Sequence, residues 1–313
     1  MPSDAPLITV IIPAYNRAAT IGRALTSVFR QTCTNYEILL VDDGSSDDTA
    51  ALARAFAHPA LRIIRHEHNR GAAAGRNSGL RAARGAYIAL LDSDDEWVPS
   101  KLATQLAHLQ RCPPDTPANC TAYAIWEGPM RRDYFPRPVT AQTLLMGCDL
   151  SPGSTLMMKR AVVDEVGLFD ETLARYEDWD WLLRYTRVYR IGVLAEPLAI
   201  VHYSPHRAAG VMATAAARLL EKYDAELRAA GAAGRKARGL RWMEVARSYA
   251  MEREPRAFLN CTARALRAYP LHRPGALLLL VDAWLGTRFA ARLQTWRARR
   301  RRAPPSDPGH DAL

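Results

Sequence analysis

The feature that most constrains the fold is an alternation of apolar, β-branched runs with amphipathic helical patterns in the first third of the chain. Continuous apolar runs of this kind are typical of strands covered on both faces. Strands that alternate with helices predict a parallel sheet with helices on both sides. The predicted strands are residues 7–12, 36–41, 61–65 and 86–91, and the helices between them begin near residues 21, 46 and 71.

Polar clusters follow the first, second and fourth of these strands. They are PAYNR (13–17), DDGSSDD (42–48) and DSDD (92–95). In open α/β sheets, ligands bind outside the carboxyl ends of the strands. We therefore expect the three clusters to converge on one crevice.

The DSDD cluster sets Asp92, Asp94 and Asp95 directly after an apolar run. Like charges this close repel one another, so the cluster is not there for stability alone. One interpretation is a cap for the helical pattern that follows Pro99. The interpretation we favour is a site for Mg²⁺ or Mn²⁺, which are commonly held by one or two carboxylates together with the phosphates of a substrate.

Beyond residue 105 the regular alternation fades. Strand patterns at 118–128, 153–160 and 198–204 and a helical pattern at 176–189 predict a mixed extension of the same sheet. From about residue 208 the chain becomes helical, and residues 240–270 predict two helices that break near Glu254 and Pro255. The predicted divisions are residues 1–105, residues 106–206 and a helical C-terminal region with a basic tail (207–313).

The charge and cysteine content narrow the function classes. A net charge of +10 favours an acidic partner, but no interleaving of aromatic and basic residues indicates nucleic-acid binding. Five scattered cysteines indicate neither a disulfide framework nor a zinc site. With no signal peptide or membrane span expected, we predict a cytoplasmic protein. The basic tail would contact anionic lipid peripherally, or would be part of a helical cap.

Three segments together resemble family 2 glycosyltransferases of the GT-A fold. They are residues 8–49, residues 69–102 and the stretch GLFDETLARYEDWDWLLR (167–184). The resemblance covers roughly residues 7 to 205, in the family's order. It implies that residues 1–105 are the nucleotide-sugar-binding half and residues 106–206 the acceptor-binding half. It implies an inverting transferase that uses a nucleoside diphosphate sugar, with uridine as the expected base. The QxxRW signature of processive members is absent, so a non-processive enzyme is expected.

The resemblance also implies roles on the donor side. The nucleotide would be bound by Pro13, Ala14, Tyr15, Asn16, Asp43, Arg76, Asp92 and Ser93. Within this set, Asp43 would accept the imide N–H of uracil, and Arg76 would reach the base or the pyrophosphate. The metal would be bound by Asp94, with His202 as a further ligand and Asp95 as either a second ligand or a structural carboxylate. Arg207 would approach the diphosphate.

On the acceptor side, the resemblance implies that Asp178 is the general base and that Glu177 supports it. Such a transfer needs one base to take the proton of the acceptor hydroxyl. Asp180 is a competing base, and both acids 177 and 178 would also suit the first turn of a helix. Trp179 and Trp181 are expected in the core. The acceptor would be a glycan or a lipid-linked sugar. A nucleotidyltransferase, or a degenerate transferase that serves as a scaffold, remains the alternative.

Overall fold

The computed structural model describes residues 5–127, 130–202 and 208–270. Within these ranges the chain forms one mixed sheet with helices on both faces. The strands are β1 (Ile8–Ala14), β2 (Tyr36–Asp42), β3 (Leu61–Arg65), β4 (Tyr87–Leu90), β5 (Glu96–Trp97), β6 (Ala118–Glu127), β7 (Met130–Tyr134), β8 (Met157–Lys159) and β9 (Ile191–His202).

The helices fill the connections and form the C-terminal region. They are α1 (Ile21–Phe29), α2 (Thr49–Ala55), α3 (Ala72–Ala82), α4 (Lys101–Arg111), α5 (Ala141–Met146), α6 (Pro152–Thr155), α7 (Val162–Val166), α8 (Glu177–Tyr185), α9 (Ala209–Lys222), α10 (Asp224–Ala229), α11 (Gly231–Met251) and α12 (Pro255–Ala268).

The strand order is β3-β2-β1-β4-β8-β6-β9-β5, and β7 forms a hairpin with β6. The strands β1 to β4 pair in parallel, as the first third of the sequence predicts. Strand β8 then runs antiparallel to both β4 and β6, which makes the sheet mixed. Because β1, β2 and β4 are parallel, the three polar clusters that follow them meet at one edge of the sheet.

The sheet separates two hydrophobic cores, as the continuous apolar runs require. Along β1, Ile8, Val10 and Ile12 face one core together with side chains of α1 and α4. Ile11 faces the other core, which α3, α8, α9 and α11 cover. All four isoleucine and valine side chains are fully buried. This alternation with both faces covered confirms the predicted α/β class.

Two parts of the second half differ from the sequence prediction. The stretch predicted as one strand at 153–160 is a turn of helix, α6, followed by the short strand β8. Pro152 at the first helical position favours that turn because its φ is already helical. Strand β9 begins at Ile191, earlier than predicted, and carries a register irregularity opposite Ala122.

The C-terminal helices pack onto the second core through α9 and α11. The predicted break near Glu254 and Pro255 is confirmed, since α12 begins at Pro255. No helix in the described ranges is both long and apolar enough to cross a bilayer. The predicted lipid contact of the basic tail falls on residues 271–313, outside the described residues.

Lys101, the first residue of α4, is fully buried. Its Nζ donates a hydrogen bond to Gln105 Oε1 and lies 4.0 Å from the centre of the Trp97 ring. Burial lowers the pKa of Lys101 to about 7. An ammonium group held in the core in this way costs folding free energy.

Replacing Lys101 with Met should therefore raise the free energy of unfolding at pH 7 by about 2 kcal/mol, after the lost hydrogen bond is counted. Because the folded pKa is below the ordinary value of 10.5, the folded state binds fewer protons between pH 7 and 10.5. Wild-type stability then rises with pH across that window, and the variant should lack this slope. Thermal unfolding at several pH values tests this, with the partly exposed Lys159→Met as control. Equal slopes in wild type and Lys101→Met would contradict it.

Candidate active site

A cavity of about 710 Å³ opens at the carboxyl ends of β1, β2 and β4. It is lined by parts of all three polar clusters and by the first turn of α8. Helices α9 and α11 of the C-terminal region form a further wall. The convergence expected from the parallel sheet is therefore present, and the cavity extends across both predicted halves of the transferase region.

The end of β1 supplies Pro13, Ala14 and Tyr15 to the cavity lining. Asn16, predicted beside them, does not line the cavity. Its side-chain oxygen accepts the backbone N–H of Ser46 at 2.9 Å, and its own N–H donates to Ser45 Oγ at 2.9 Å. Asn16 has a φ of 52°, a conformation that asparagine tolerates better than most residues. Asn16 therefore joins the loops after β1 and β2.

Asp43 lines the cavity, and its carboxylate organises the loop before α3. It accepts the backbone N–H groups of Arg70 at 3.0 Å and Gly71 at 2.7 Å. His66 Nδ1 lies 2.6 Å from the same carboxylate. These bonds fix the orientation of a side chain that the sequence predicts at the base of the nucleotide.

The three aspartates of DSDD have three different environments. Asp92 and Asp94 line the cavity, as does Ser93. Asp95 is 3% exposed and bound to the protein interior, where it accepts Ser154 Oγ–H at 2.5 Å and the His202 N–H at 2.8 Å. Of the two roles left open for Asp95, the structure favours that of a structural carboxylate.

Asp94 is the carboxylate best suited to a metal ion. Burial raises its pKa, and the neighbouring charge of Asp92 raises it further. Arg17 Nη2 offsets this charge only from 3.7 Å. No cluster of three or more acidic, histidine or cysteine ligands occurs in the part of the chain that the structure describes. Two carboxylates of hard oxygen chemistry nevertheless suit Mg²⁺ or Mn²⁺, which take their remaining ligands from phosphates and water.

The predicted ligand His202 is not among the residues that line the cavity. Its Nε2 lies 2.9 Å from Glu96 Oε1. Strand β9 pairs with β5 here, and this pairing places the two side chains on neighbouring strands. The metal role expected for His202 thus has no support in this geometry. Arg207, predicted at the diphosphate, lies outside the described residues.

Arg76 connects the donor and acceptor sides of the cavity. Its Nη2 donates to Asp92 at 2.6 Å, and its Nη1 donates to Glu177 at 2.5 Å. Burial alone would lower its pKa, but Asp92, Glu177 and Asp178 raise it above the ordinary value. Arg76 thus forms a bridge between two carboxylates while it lines the cavity, and its contact with the base or the pyrophosphate stays a prediction. Its removal would leave both charges unpaired in a buried site.

Asp178 differs from Glu177 in having no ion-pair partner in the described residues. Glu177 is bound to Arg76, whereas Asp178 accepts only the N–H of Trp179 at 2.7 Å. Burial, and then the charge of Glu177, raises the pKa of Asp178 to about 6. A cavity-lining carboxylate with a pKa close to neutral is suited to accept a proton.

Asp180, the competing base, faces the core and not the cavity. It is fully buried and contacts Arg184 at 3.0 Å, Lys222 at 2.7 Å and the Tyr223 hydroxyl at 2.9 Å. These partners anchor α8 to α9, so its role is structural.

The two tryptophans of α8 are buried, as predicted. Trp181 is fully buried and donates to the Gly167 carbonyl at 3.0 Å. Trp179 donates to the Leu144 carbonyl at 2.8 Å and also borders the cavity. Both rings therefore belong to the core, and Trp179 in addition forms part of the wall next to Asp178.

Local backbone features at the cavity explain how these side chains approach one another. Tyr176, directly before α8, has a φ of 66°, and Ser151, directly before α6, has a φ of 48°. Such conformations cost about 1–3 kcal/mol in residues other than glycine and tend to occur at functional sites. At Gly153, an added Cβ would lie 2.4 Å from Asp92 Oδ2, so a larger residue here would displace the Asp92 carboxylate.

The structure adds residues that the sequence prediction did not include. Arg175, Arg241 and Glu244 line the acceptor side of the cavity. Arg175 adjoins the YED motif, so its position in the sequence could have indicated it. Arg241 and Glu244 lie on α11, more than fifty residues away, and no motif marks them.

Comparison with known proteins gives a consistent result. The family model described as Glycosyl transferase family 2 matches residues 9–167. The Escherichia coli protein WfgD, a UDP-Glc:alpha-D-GlcNAc-diphosphoundecaprenol beta-1,3-glucosyltransferase, is 40% identical over 104 residues, or 33% of this chain. The match spans 41% of WfgD, so less than half of that relative's length is represented.

Two solved structures share the fold. Staphylococcus aureus TarS 1–349 is 20% identical, with a TM-score of 0.60 over 93% of this chain and 91% of that one. The mannosyltransferase PcManGT of Pyrobaculum calidifontis, in complex with GDP-Man and Mn²⁺, is 20% identical, with a TM-score of 0.57 over 95% and 84%. These likenesses confirm the predicted GT-A architecture.

Proposed function

The chain belongs to glycosyl transferase family 2, and from this premise we propose that it is an inverting, non-processive glycosyltransferase. It moves one sugar from a uridine diphosphate sugar to a hydroxyl group of a glycan or lipid-linked acceptor. The observation that carries the proposal is the cavity in which the donor-side carboxylates Asp92 and Asp94 lie together with the unpaired Asp178.

The donor would lie along the ends of β1, β2 and β4. Tyr15 and Asp43 line that part of the cavity and support binding of the base and ribose. Asp92 and Asp94 would hold a divalent cation, which neutralises the charge of the diphosphate when bound. Arg17, beside Asp94, adds positive charge for the departing diphosphate.

The acceptor would enter beside the first turn of α8. Its hydroxyl oxygen attacks the anomeric carbon from the face opposite the diphosphate, so that the new bond forms with inversion. The bond from the anomeric carbon to the diphosphate oxygen breaks, and the hydroxyl proton passes to Asp178. Glu177 would stay paired with Arg76, which keeps the two acidic side chains in different roles.

Acceptor chemistry has support from a relative. The name of WfgD specifies a sugar joined to a lipid through a diphosphate. We extend this to the present chain only as a proposal, since the match covers part of each protein.

A screen of nucleotide sugars with Mn²⁺ tests the proposal. UDP and at least one UDP-sugar should raise the melting temperature by several degrees, because a ligand that binds the folded state alone stabilises it by mass action. Hydrolysis or transfer should then release UDP. A nucleoside triphosphate that stabilises the chain and releases pyrophosphate would instead indicate a nucleotidyltransferase. A lack of response to every nucleotide sugar would favour the scaffold alternative.

A further inference from the structure

The acceptor side of the cavity contains a pair of arginines around one aromatic ring. The carbon Cζ of Arg241 lies 4.9 Å from the centre of the Tyr176 ring, and Cζ of Arg175 lies 5.5 Å from it. Both arginines line the cavity. The two guanidinium groups thus flank the residue that immediately precedes the YED acids.

The side chain of Arg241 is held by its neighbours, but one of its hydrogen-bond donors has no partner in the described residues. It is 7% exposed, and its guanidinium also stacks on Trp179 at 4.1 Å. Stacking occupies the faces of the guanidinium and leaves its N–H edges for hydrogen bonds. One edge binds Glu244, whereas the buried Nε has no hydrogen-bond partner in the described residues.

The positive charge of Arg175 is less well compensated by neighbouring groups than that of Arg241. No carboxylate of the described residues forms an ion pair with it, and its buried Nε also lacks a partner. Burial lowers the pKa of Arg241, and the positive charge of Arg175 acts in the same direction. Two neighbouring like charges, one of them buried and each with an unpaired Nε–H, are costly unless an anion joins them.

We propose that Arg175 and Arg241 form a subsite for a phosphate or diphosphate group on the acceptor. The proposal rests on the transferase function above and specifies its acceptor as a phosphate-linked sugar and not a neutral glycan. Arginine edges suit phosphate oxygens because the planar fork matches them in pairs. Two guanidinium groups can each bind one phosphate of a diphosphate, whereas a single carboxylate would engage only one of them.

The position of the subsite agrees with the chemistry of transfer. Trp179 connects the two. Arg241 stacks on its ring, and the backbone N–H of Trp179 donates a hydrogen bond to the Asp178 carboxylate. A phosphate on the anomeric oxygen of an acceptor sugar lies across the ring from the 3- and 4-hydroxyls. An acceptor held by Arg175 and Arg241 can therefore present one of those hydroxyls to Asp178. The α11 helix would thereby contribute to acceptor choice.

The test uses binding to the full chain with UDP and Mg²⁺ saturating, so that donor-side phosphate sites are filled. The probes are decyl diphosphate and neutral decyl glucoside. Wild type should bind decyl diphosphate at least tenfold more tightly than decyl glucoside. Arg241→Gln and Arg175→Gln should each raise the Kd of decyl diphosphate about 5–20-fold and leave that of decyl glucoside unchanged. Arg247→Gln, an exposed position on the same helix, should change neither.

Three results would overturn the subsite. They are equal affinity of wild type for the two probes, unchanged decyl diphosphate binding in both variants, and a matching loss of UDP affinity, which would assign these arginines to the donor. Arg175 is partly exposed, so its variant tests the proposal even if Arg241→Gln does not fold. A wild-type chain that binds no UDP would instead contradict the transferase proposal itself.

Discussion

Replacing Asp178 with Asn should lower kcat about 10²–10⁴-fold while UDP-sugar affinity stays within about threefold of wild type. The amide has nearly the same shape but cannot take the proton of the acceptor hydroxyl. A loss confined to kcat is the signature of an interaction made in the transition state. Initial rates of UDP release with acceptor, together with calorimetric titration of the UDP-sugar without acceptor, measure both quantities.

The same substitution should stabilise the fold. The folded pKa of Asp178, about 6, lies above its ordinary value of 3.8, because burial disfavours the charged form. The folded state then binds more protons between these values, so wild-type stability falls as pH rises through that window. Asn is neutral throughout. The variant should gain about 1–3 kcal/mol above pH 6 and nothing below pH 4.

Asp180→Asn is the matched control, two residues further along α8. It should cost about 3–5 kcal/mol of stability, because Arg184 and Lys222 would lose their buried carboxylate. The kcat of this variant, calculated per folded molecule, should be close to that of wild type. Near-normal turnover of Asp178→Asn, or a larger loss per folded molecule in Asp180→Asn, would show that the base has been assigned wrongly.

The pH profile of wild type provides an independent check on Asp178. A base must be deprotonated to act, so kcat should rise with pH through about 6 and then reach a plateau. The rising limb should be absent from the residual activity of Asp178→Asn. A limb that persists unchanged in the variant would belong to another group.

The donor half of the fold was predictable because short stretches of sequence determine its strands. The strands β1, β2 and β4 are short, largely apolar runs followed by polar residues, and parallel pairing brings those polar residues to one edge. The position of β3 was predicted without error at Leu61–Arg65. The second half was harder, since its strands pair with distant partners. At 153–160 the sequence has strand-like composition, but Pro152 begins a helical turn.

The roles of single side chains depended on contacts that no local pattern encodes. Asp94 and Asp95 are adjacent and chemically identical. Ser154 and the backbone of His202, both distant in sequence, bind Asp95 and leave Asp94 at the cavity. Arg76 likewise reaches Glu177 across 101 positions and forms an internal bridge that no local pattern indicates. Such assignments require the tertiary structure.

The difference between Asp94 and Asp95 leads to the second large effect. Asp94→Ala should lower Mn²⁺-dependent UDP affinity by about 100-fold or more, since loss of a direct ligand exceeds the cost of losing outer-shell partners. Its stability should change little or rise, because the repulsion with Asp92 is removed. Asp95→Ala should do the opposite. It should lower the free energy of unfolding by about 2–4 kcal/mol and keep Mn²⁺-dependent UDP affinity within about fivefold.

Titration of UDP with and without Mn²⁺, at a temperature well below both unfolding transitions, separates the two variants. The informative quantity is the ratio of the two UDP dissociation constants, because a general distortion of the nucleotide site weakens both and leaves the ratio unchanged. A ratio that approaches one in Asp94→Ala alone assigns the cation to that side chain. If the ratio collapses equally in Asp95→Ala, Asp95 is a second ligand whose bonds to Ser154 and His202 rearrange when the cation binds.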